Sequence, residues 1–190
     1  MPCTHKFILK LGKVLNDYDA NTVVVNPRKR VYQSSVFNNL EMFSMYSEAM
    51  KDETVDAVYS VHKNTYSIPI KIIHVKTPNF EQDPYQELLK QAYRNIFLEF
   101  FQHASDNDTL RLVPLTNGDL TEKGITNDDL ARMEINALFD ALQISEIVRK
   151  NSTQGRKVFK KIKNIDFYVD NEAKYRSFLK TLPKDKQIVL

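Results

Sequence analysis

A chain of 190 residues with 42% hydrophobic and 27% charged content is long enough to bury roughly 70% of its unfolded surface in a single core. Its lone cysteine, Cys3, excludes an internal disulfide, and the segment MPCTHKFILKLGK lacks the apolar stretch of a secretory signal. No apolar run approaches the ~20 residues needed to cross a bilayer, so the chain is expected to be soluble, cytoplasmic or nuclear, and to have no membrane partner. One domain over 1–182 with a loose tail over 183–190 is the expected organisation.

In chain order, Phe7–Leu11 and Thr22–Asn26 are short β-rich runs, and TVVVN is nearly continuous in Val, as expected for a strand covered on both faces and ended by Pro27. From Ser35, the positions Val36, Phe37, Leu40 and Phe43 keep helical spacing, with Ser34 or Ser35 as N-cap. Val55, Ala57, Tyr59 and Val61 alternate with polar residues as in a half-exposed strand, and Ile68–Val75 forms the next one. The following helix has the strongest signals: Asp83 as N-cap, Pro84 in the first helical position and Gln86 in a capping box. Its apolar stripe runs through Leu88/Leu89, Ala92/Tyr93, Ile96/Phe97 and Phe100/Phe101, a face meant to lie on a sheet. Leu110–Leu115 returns as a strand into the polar loop from Thr116 to Gly124. Thr126 or Asn127 caps another helix that buries Leu130, Met133, Ala137, Leu138 and Ala141. Ile165–Val169 is the last strand, and Asp170 caps a closing helix with Tyr175, Phe178, Leu179 and Leu182. The alternation of strands and helices predicts an α/β fold, a three-layer α/β/α sandwich with a mixed central sheet. In such sheets ligands collect at loops leaving the carboxyl ends of strands, which singles out the loop beginning Thr116-Asn117-Gly118-Asp119.

The net charge of +3 hides an asymmetry. Arg149, Lys150, Arg156, Lys157, Lys160, Lys161 and Lys163 form a run without an acid, which leaves the rest of the chain at −4. Together with Arg28, Lys29 and Arg30 this run is the expected footprint of RNA, if RNA is a partner; the alternative is a solvated charged face. His5, His62, His74 and His103 show no metal-ligand spacing, so neither a metal nor a cofactor is expected. His74, in a buried-looking strand, reads as a hydrogen-bonded core residue rather than a catalytic base. Asp119, Glu122, Asp128 and Asp129 could hold a cation, but acids around a first helical turn more commonly complement its dipole. There is no nucleophile elbow, P-loop or dinucleotide fingerprint.

Taken in order, the pieces resemble a macrodomain, the module known for binding ADP-ribose. KFILKLGKVLNDYDANTVVVN resembles that family's opening strand, its Gly-Asp-Ile segment and the strand entering Asn-Ala-Ala-Asn. IPIKIIHVKTPNF resembles its Val-Ile-His-Thr-Val-Gly-Pro strand, ELLKQAYRNIFLEF the helix after it, LRLVPLTNG the strand entering the second phosphate loop, and IDFYVDNEAKYRSFLKTL the terminal strand and helix. The resemblance spans about Lys6 to Leu182 and rests on the order of the motifs. It implies a cleft lined by Asn26, Ser34, Ser35, Val36, Phe37, Thr116, Asn117, Gly118 and Asp119, with Val169 at the far wall. ADP-ribose or a related nucleotide is the implied ligand.

The departures fall on the motifs that would hold that ligand. Lys13 follows Gly12 where the family has an adenine-binding Asp, and Asn26-Pro27-Arg28-Lys29 replaces Asn-Ala-Ala-Asn. The chain has four glycines, Gly12, Gly118, Gly124 and Gly155, so the first phosphate loop has lost the residues that let backbone N–H groups approach a diphosphate. A phosphate could still meet the N-terminus of the helix starting at Ser35. The expected function is therefore a binding module with a degenerate ADP-ribose cleft and no catalytic residue. RNA binding through the basic surfaces and a divergent ADP-ribosyl hydrolase are the alternatives; a partner-binding role is also open, with the protein partner unknown.

Overall fold

Alternation along each strand decides which side chains meet the helices. The computed structural model describes residues 6–15, 17–28, 56–62, 68–81, 84–116, 123–151, 162 and 164–186. Strands β1 (Lys6–Leu11), β2 (Thr22–Arg28), β3 (Ala57–His62), β4 (Ile70–Lys76), β5 (Thr109–Leu112) and β6 (Asn164–Val169) form one six-stranded sheet in the order β1-β6-β5-β2-β4-β3. Every neighbouring pair is parallel except β3 with β4. Helices α1 (Tyr85–His103), α2 (Asn127–Asn151) and α3 (Glu172–Thr181) complete the described elements with a short 3-10 turn at Lys184–Lys186.

One set of strand residues, Phe7, Leu9, Val23, Val25, Ile73, Val75, Leu110, Leu112, Ile165, Phe167 and Val169, shares a core with all three helices. Tyr93, Ile96, Phe97, Phe100 and Phe101 of α1 are completely buried there, as their four-residue recurrence predicts. Burying each such side chain contributes roughly 1.5–3 kcal/mol. The intervening residues Val24, Ile70, Ile72 and Tyr168 face the other way, against Val14, Leu15 and Tyr18 from the segment after β1. The mixed α/β sheet is as expected. The helix expected from Ser35, which would supply a third layer, lies outside the described residues.

Four local expectations are corrected. Pro27 does not end β2: it pairs with Val75 inside the strand, because the β5 side of β2 stops at Val24 and a missing N–H is tolerated where one side has no partner. Strand β5 ends at Leu112, not Leu115, since Pro114 cannot donate to a continuing ladder. Pro84 is itself the N-cap of α1, extended at φ −88° and ψ 106°, with no side-chain cap; Gln86 donates instead to the Met133 carbonyl across the α1–α2 contact, at 3.0 Å. Asp83 lies outside the described residues. The cap of α3 is Asn171, not Asp170, because its side chain stands three residues before the Lys174 N–H that it accepts at 3.1 Å. Thr126 caps α2 as expected: its hydroxyl accepts the Asp129 N–H at 3.1 Å, and the Asp129 carboxylate returns to the Thr126 N–H and hydroxyl.

The segment after β1 is fastened to the sheet by a buried arginine. Arg111 donates to the carbonyls of Val14 and Asp17, each at 2.9 Å, and its guanidinium lies 5.2 Å from the centre of the Tyr168 ring. Asp17 adopts a positive φ of 50°, and Gly12, where the chain leaves β1, has φ 146° while its N–H reaches the Val169 carbonyl at 2.9 Å. At the opposite edge the Tyr59 N–H points away from β4 and is taken by Glu99 of α1 at 2.9 Å, while His103 stacks on the Tyr59 ring at 5.1 Å. This occupies a donor that a terminal strand would otherwise offer to another chain.

Replacing Arg111 with Met takes the donor from one buried and one part-buried carbonyl and is expected to cost about 1–3 kcal/mol of stability in urea unfolding. A loss under about 0.5 kcal/mol would contradict the clamp. Glu99→Ala frees the Tyr59 N–H and should produce a concentration-dependent dimer in size-exclusion chromatography with light scattering; a strictly monomeric variant would show that this contact does not guard the edge.

Candidate functional site

The parallel strands bring the carboxyl ends of β6, β5 and β2 side by side, and the chain leaves β2 and β5 toward opposite flanks of the sheet, the arrangement that opens a crevice in α/β sheets. Asn26 lies one residue before Pro27 on β2 and is fully buried. Its Nδ2 lies 3.1 Å from Nδ1 of His74, directly across the ladder, and His74 Nε2 lies 3.1 Å from Ser60 Oγ on β3. An amide Nδ2 can only donate, so in this arrangement Nδ1 accepts and the ring proton sits on Nε2, facing the serine. His74 is the hydrogen-bonded core residue expected from the sequence.

On the β5 side, Thr116 begins the second loop, and a network from two helices holds it. Its N–H donates to Glu134 of α2, its hydroxyl shares a hydrogen bond of 2.6 Å with the Tyr85 hydroxyl of α1, and the Tyr93 hydroxyl donates to the other Glu134 oxygen. Glu134 is completely buried. Burial pushes its carboxyl above the ordinary glutamate range, opposed by the hydrogen bonds from Thr116 and Tyr93 and by the N–H groups of Thr116 and Leu115. Burial, then the neighbouring Glu134 charge, raises the Tyr93 hydroxyl far above its usual range, so the phenol keeps its proton and remains a donor. The Tyr85 hydroxyl is also raised, first by burial.

The far end of the same loop is held separately. Lys123 pairs with Glu81 at 2.6 Å and lies 5.7 Å from the Phe80 ring centre, while Phe80 packs on Tyr85 at 4.9 Å. Both ends of the 117–122 segment are therefore tied to the region where β4 runs into α1.

Among the expected cleft residues, Asn26 lies near the carboxyl end of β2 and Thr116 beyond the end of β5 at Leu112, and Val169 ends β6, buried, with its carbonyl on the Gly12 N–H. Ser34, Ser35, Val36, Phe37, Asn117, Gly118 and Asp119 lie outside the described residues. So do Lys29, Arg30, Arg156, Lys157, Lys160, Lys161 and Lys163, and for Arg28 only the backbone is described. Arg149 spends its guanidinium on Glu146 at 2.8 Å and 3.0 Å, and Lys150 is exposed at the end of α2. Asp128 and Asp129 are engaged by Lys180 and by Thr126 and Arg132, in keeping with helix-start roles. Among the described residues no group of acids, histidines or cysteines is placed to hold a metal ion, and no helix is long and apolar enough to cross a membrane.

Sequence reading missed Glu134, Tyr85 and Arg111. A signal existed for the first: Glu134 stands four residues from both Leu130 and Leu138, on the apolar stripe of α2, and an acid there must find donors. Tyr93 was legible as core, but its hydroxyl required a partner that only the fold could name.

No protein-family model matches the chain, and no curated protein matches it in sequence. Solved structures do match. A mutant Oceanobacillus iheyensis macrodomain with ADPR superposes at a TM-score of 0.60 and 14% identity, covering 92% of this chain and 89% of that one. The IBV X-domain gives 0.58 and 14%, covering 96% and 100%. A Trypanosoma brucei macrodomain in complex with ADP-ribose gives 0.56 and 13%, covering 91% and 67%. The mixed six-stranded sheet and its helices therefore have the macrodomain fold that the sequence motifs resemble.

Proposed function

We propose that the chain is a non-catalytic binding module whose cleft, at the carboxyl ends of β2 and β5, takes ADP-ribose or a related nucleotide with reduced affinity. The observation that carries this reading is the likeness over more than nine-tenths of the chain to structures solved with ADPR or ADP-ribose. The second loop has the anchored entry that a ligand-bearing loop needs, with Thr116 held by Glu134 and Tyr85. The reduced affinity follows from side chains that have other tasks or the wrong charge. The Asn26 amide is spent on His74, and the exposed Lys13 supplies a cationic donor where the family presents a carboxylate to adenine. Lys29 occupies the position of the family's second Asn, which argues against hydrolase geometry.

Titration calorimetry with ADP-ribose is expected to give a dissociation constant of order 0.1–1 mM, roughly −5.5 to −4 kcal/mol. A constant of a few micromolar or tighter, about −7.5 kcal/mol or more favourable, would refute the degenerate cleft. No binding at several millimolar would refute the nucleotide reading altogether. Release of ADP-ribose from a mono-ADP-ribosylated protein substrate would overturn the non-catalytic assignment.

A further inference from the structure

The two edges of the sheet are protected in different ways. β1 begins with the exposed Lys6 and carries Lys10, charged side chains of the kind that discourage pairing at a sheet edge. β3 has the sequence AVYSVH, with no lysine, acid or proline. Its pairing with β4 is antiparallel, and the Asp56 carbonyl accepts the Lys76 N–H at 2.8 Å while the Tyr59 N–H turns away to Glu99. Backbone direction alternates along such a strand, so Ala57, Tyr59 and Val61 present their N–H and carbonyl groups outward. Val61 is 51% exposed, too open to be sealed by the core.

What closes this edge is a clasp of side chains from the last turn of α1, not a backbone. Glu99 Oε2 takes the Tyr59 N–H at 2.9 Å. His103, one turn further along, lies parallel to the Tyr59 ring within 6° at 5.1 Å, with its Nε2 3.6 Å from the same Glu99 oxygen. The imidazole thus ties the acceptor to the residue that it caps. Both clasp side chains keep part of their surface in solvent, 23% for Glu99 and 44% for His103, so the clasp can open without opening the core. Among the described residues no hydrogen bond takes the outward groups of Ala57 and Val61.

The outward groups also specify what fits them. Ala57 and Val61 flank Tyr59 symmetrically, so a two-fold axis through Tyr59 sets Ala57 opposite Val61 of an identical strand and Tyr59 opposite itself. Each outward N–H then meets an outward carbonyl. Residues 57–61 carry no charged side chain, so two such strands bring no like charges face to face. We propose that β3 is an assembly edge held closed by α1, and that its occupant when the clasp opens is β3 of a second copy of this chain, antiparallel and centred on Tyr59. His103 is the positioning residue of the clasp.

Sedimentation velocity over a range of concentrations compares wild type, Glu99→Ala, Glu99→Gln and His103→Ala. Glu99→Ala should self-associate at least about tenfold more tightly than wild type, the change expected for losing one hydrogen bond to a charged acceptor. His103→Ala should tighten self-association by about two- to tenfold, through loss of the ring contact. Glu99→Gln keeps an acceptor oxygen and should stay close to wild type; if it dimerises as Glu99→Ala does, the acid acts through its charge and the clasp is overturned. Cysteines read the register, in Cys3→Ala chains that also carry Glu99→Ala. On oxidation, a mixture of Ala57→Cys and Val61→Cys chains should link one kind to the other, since directly opposed Cα atoms would stand about 5.5 Å apart, and neither kind should link alone. A strictly monomeric Glu99→Ala, or a dimer whose cysteines link only like with like or not at all, overturns the proposal. If Glu99→Ala does not fold, His103→Ala carries the same cysteines under the same criteria.

Discussion

A carboxyl group taken wholly out of water is among the costlier things a fold can contain, and here it joins three elements distant in sequence. Glu134 can be buried because two hydroxyl and backbone donors aim at its two oxygens, and those donors belong to α1 and to the exit of β5. The helices consequently have one register in which the acid is satisfied. Sliding α2 by a turn would carry Glu134 away from Thr116 and strand the Tyr93 hydroxyl as well. The apolar stripe of α1 binds the sheet strongly but is nearly indifferent to small displacements, so the polar contact sets the position that the aromatic core makes stable.

The opposite face of the sheet uses charge differently. There, Arg111 gathers two carbonyls from the segment after β1, and the Tyr18 hydroxyl accepts the Lys71 N–H at 2.9 Å. These contacts hold an irregular stretch, with Asp17 at positive φ, flat against Val24, Ile72 and Tyr168. Irregular backbone over a sheet needs partners for its carbonyls, and a guanidinium reaching up from the central strand β5 provides them. Among the described residues the two faces are thus fastened differently: apolar stripes under the helices on one, and a guanidinium beneath an irregular segment on the other.

How much of this the sequence revealed depends on the range of the interaction. The strands and helices were legible because their periodicity is local, and so were the buried face of α1, the Thr126 capping box and the core role of His74. Errors of one to three residues arose where a neighbouring element decides a boundary: Pro27 stays within β2 because the adjacent strand has already ended, and Gln86 leaves its own helix start for the Met133 carbonyl. In the candidate site, Asn26 and Thr116 could be placed by motif order. Their partners could not, since Glu134 is 18 residues from Thr116 and 41 from Tyr93, and nothing local distinguishes an acid that will meet donors from one that will face solvent. Arg111 was hidden for the same reason, its carbonyl partners lying more than 90 residues earlier.

The short strand β5, only Thr109–Leu112, is where these two halves meet. Arg111 projects from its middle toward one face, and four residues past its end region Thr116 is held by Glu134. Arg111 brings a cation to the carbonyls it holds, whereas the Glu134 carboxyl, raised by burial above the ordinary glutamate range, meets hydroxyl and backbone donors. One fastening of this strand is therefore a cation on two carbonyls and the other a buried carboxyl on hydroxyl and backbone donors. The asymmetry originates in which ionisable side chain each side of the strand was given.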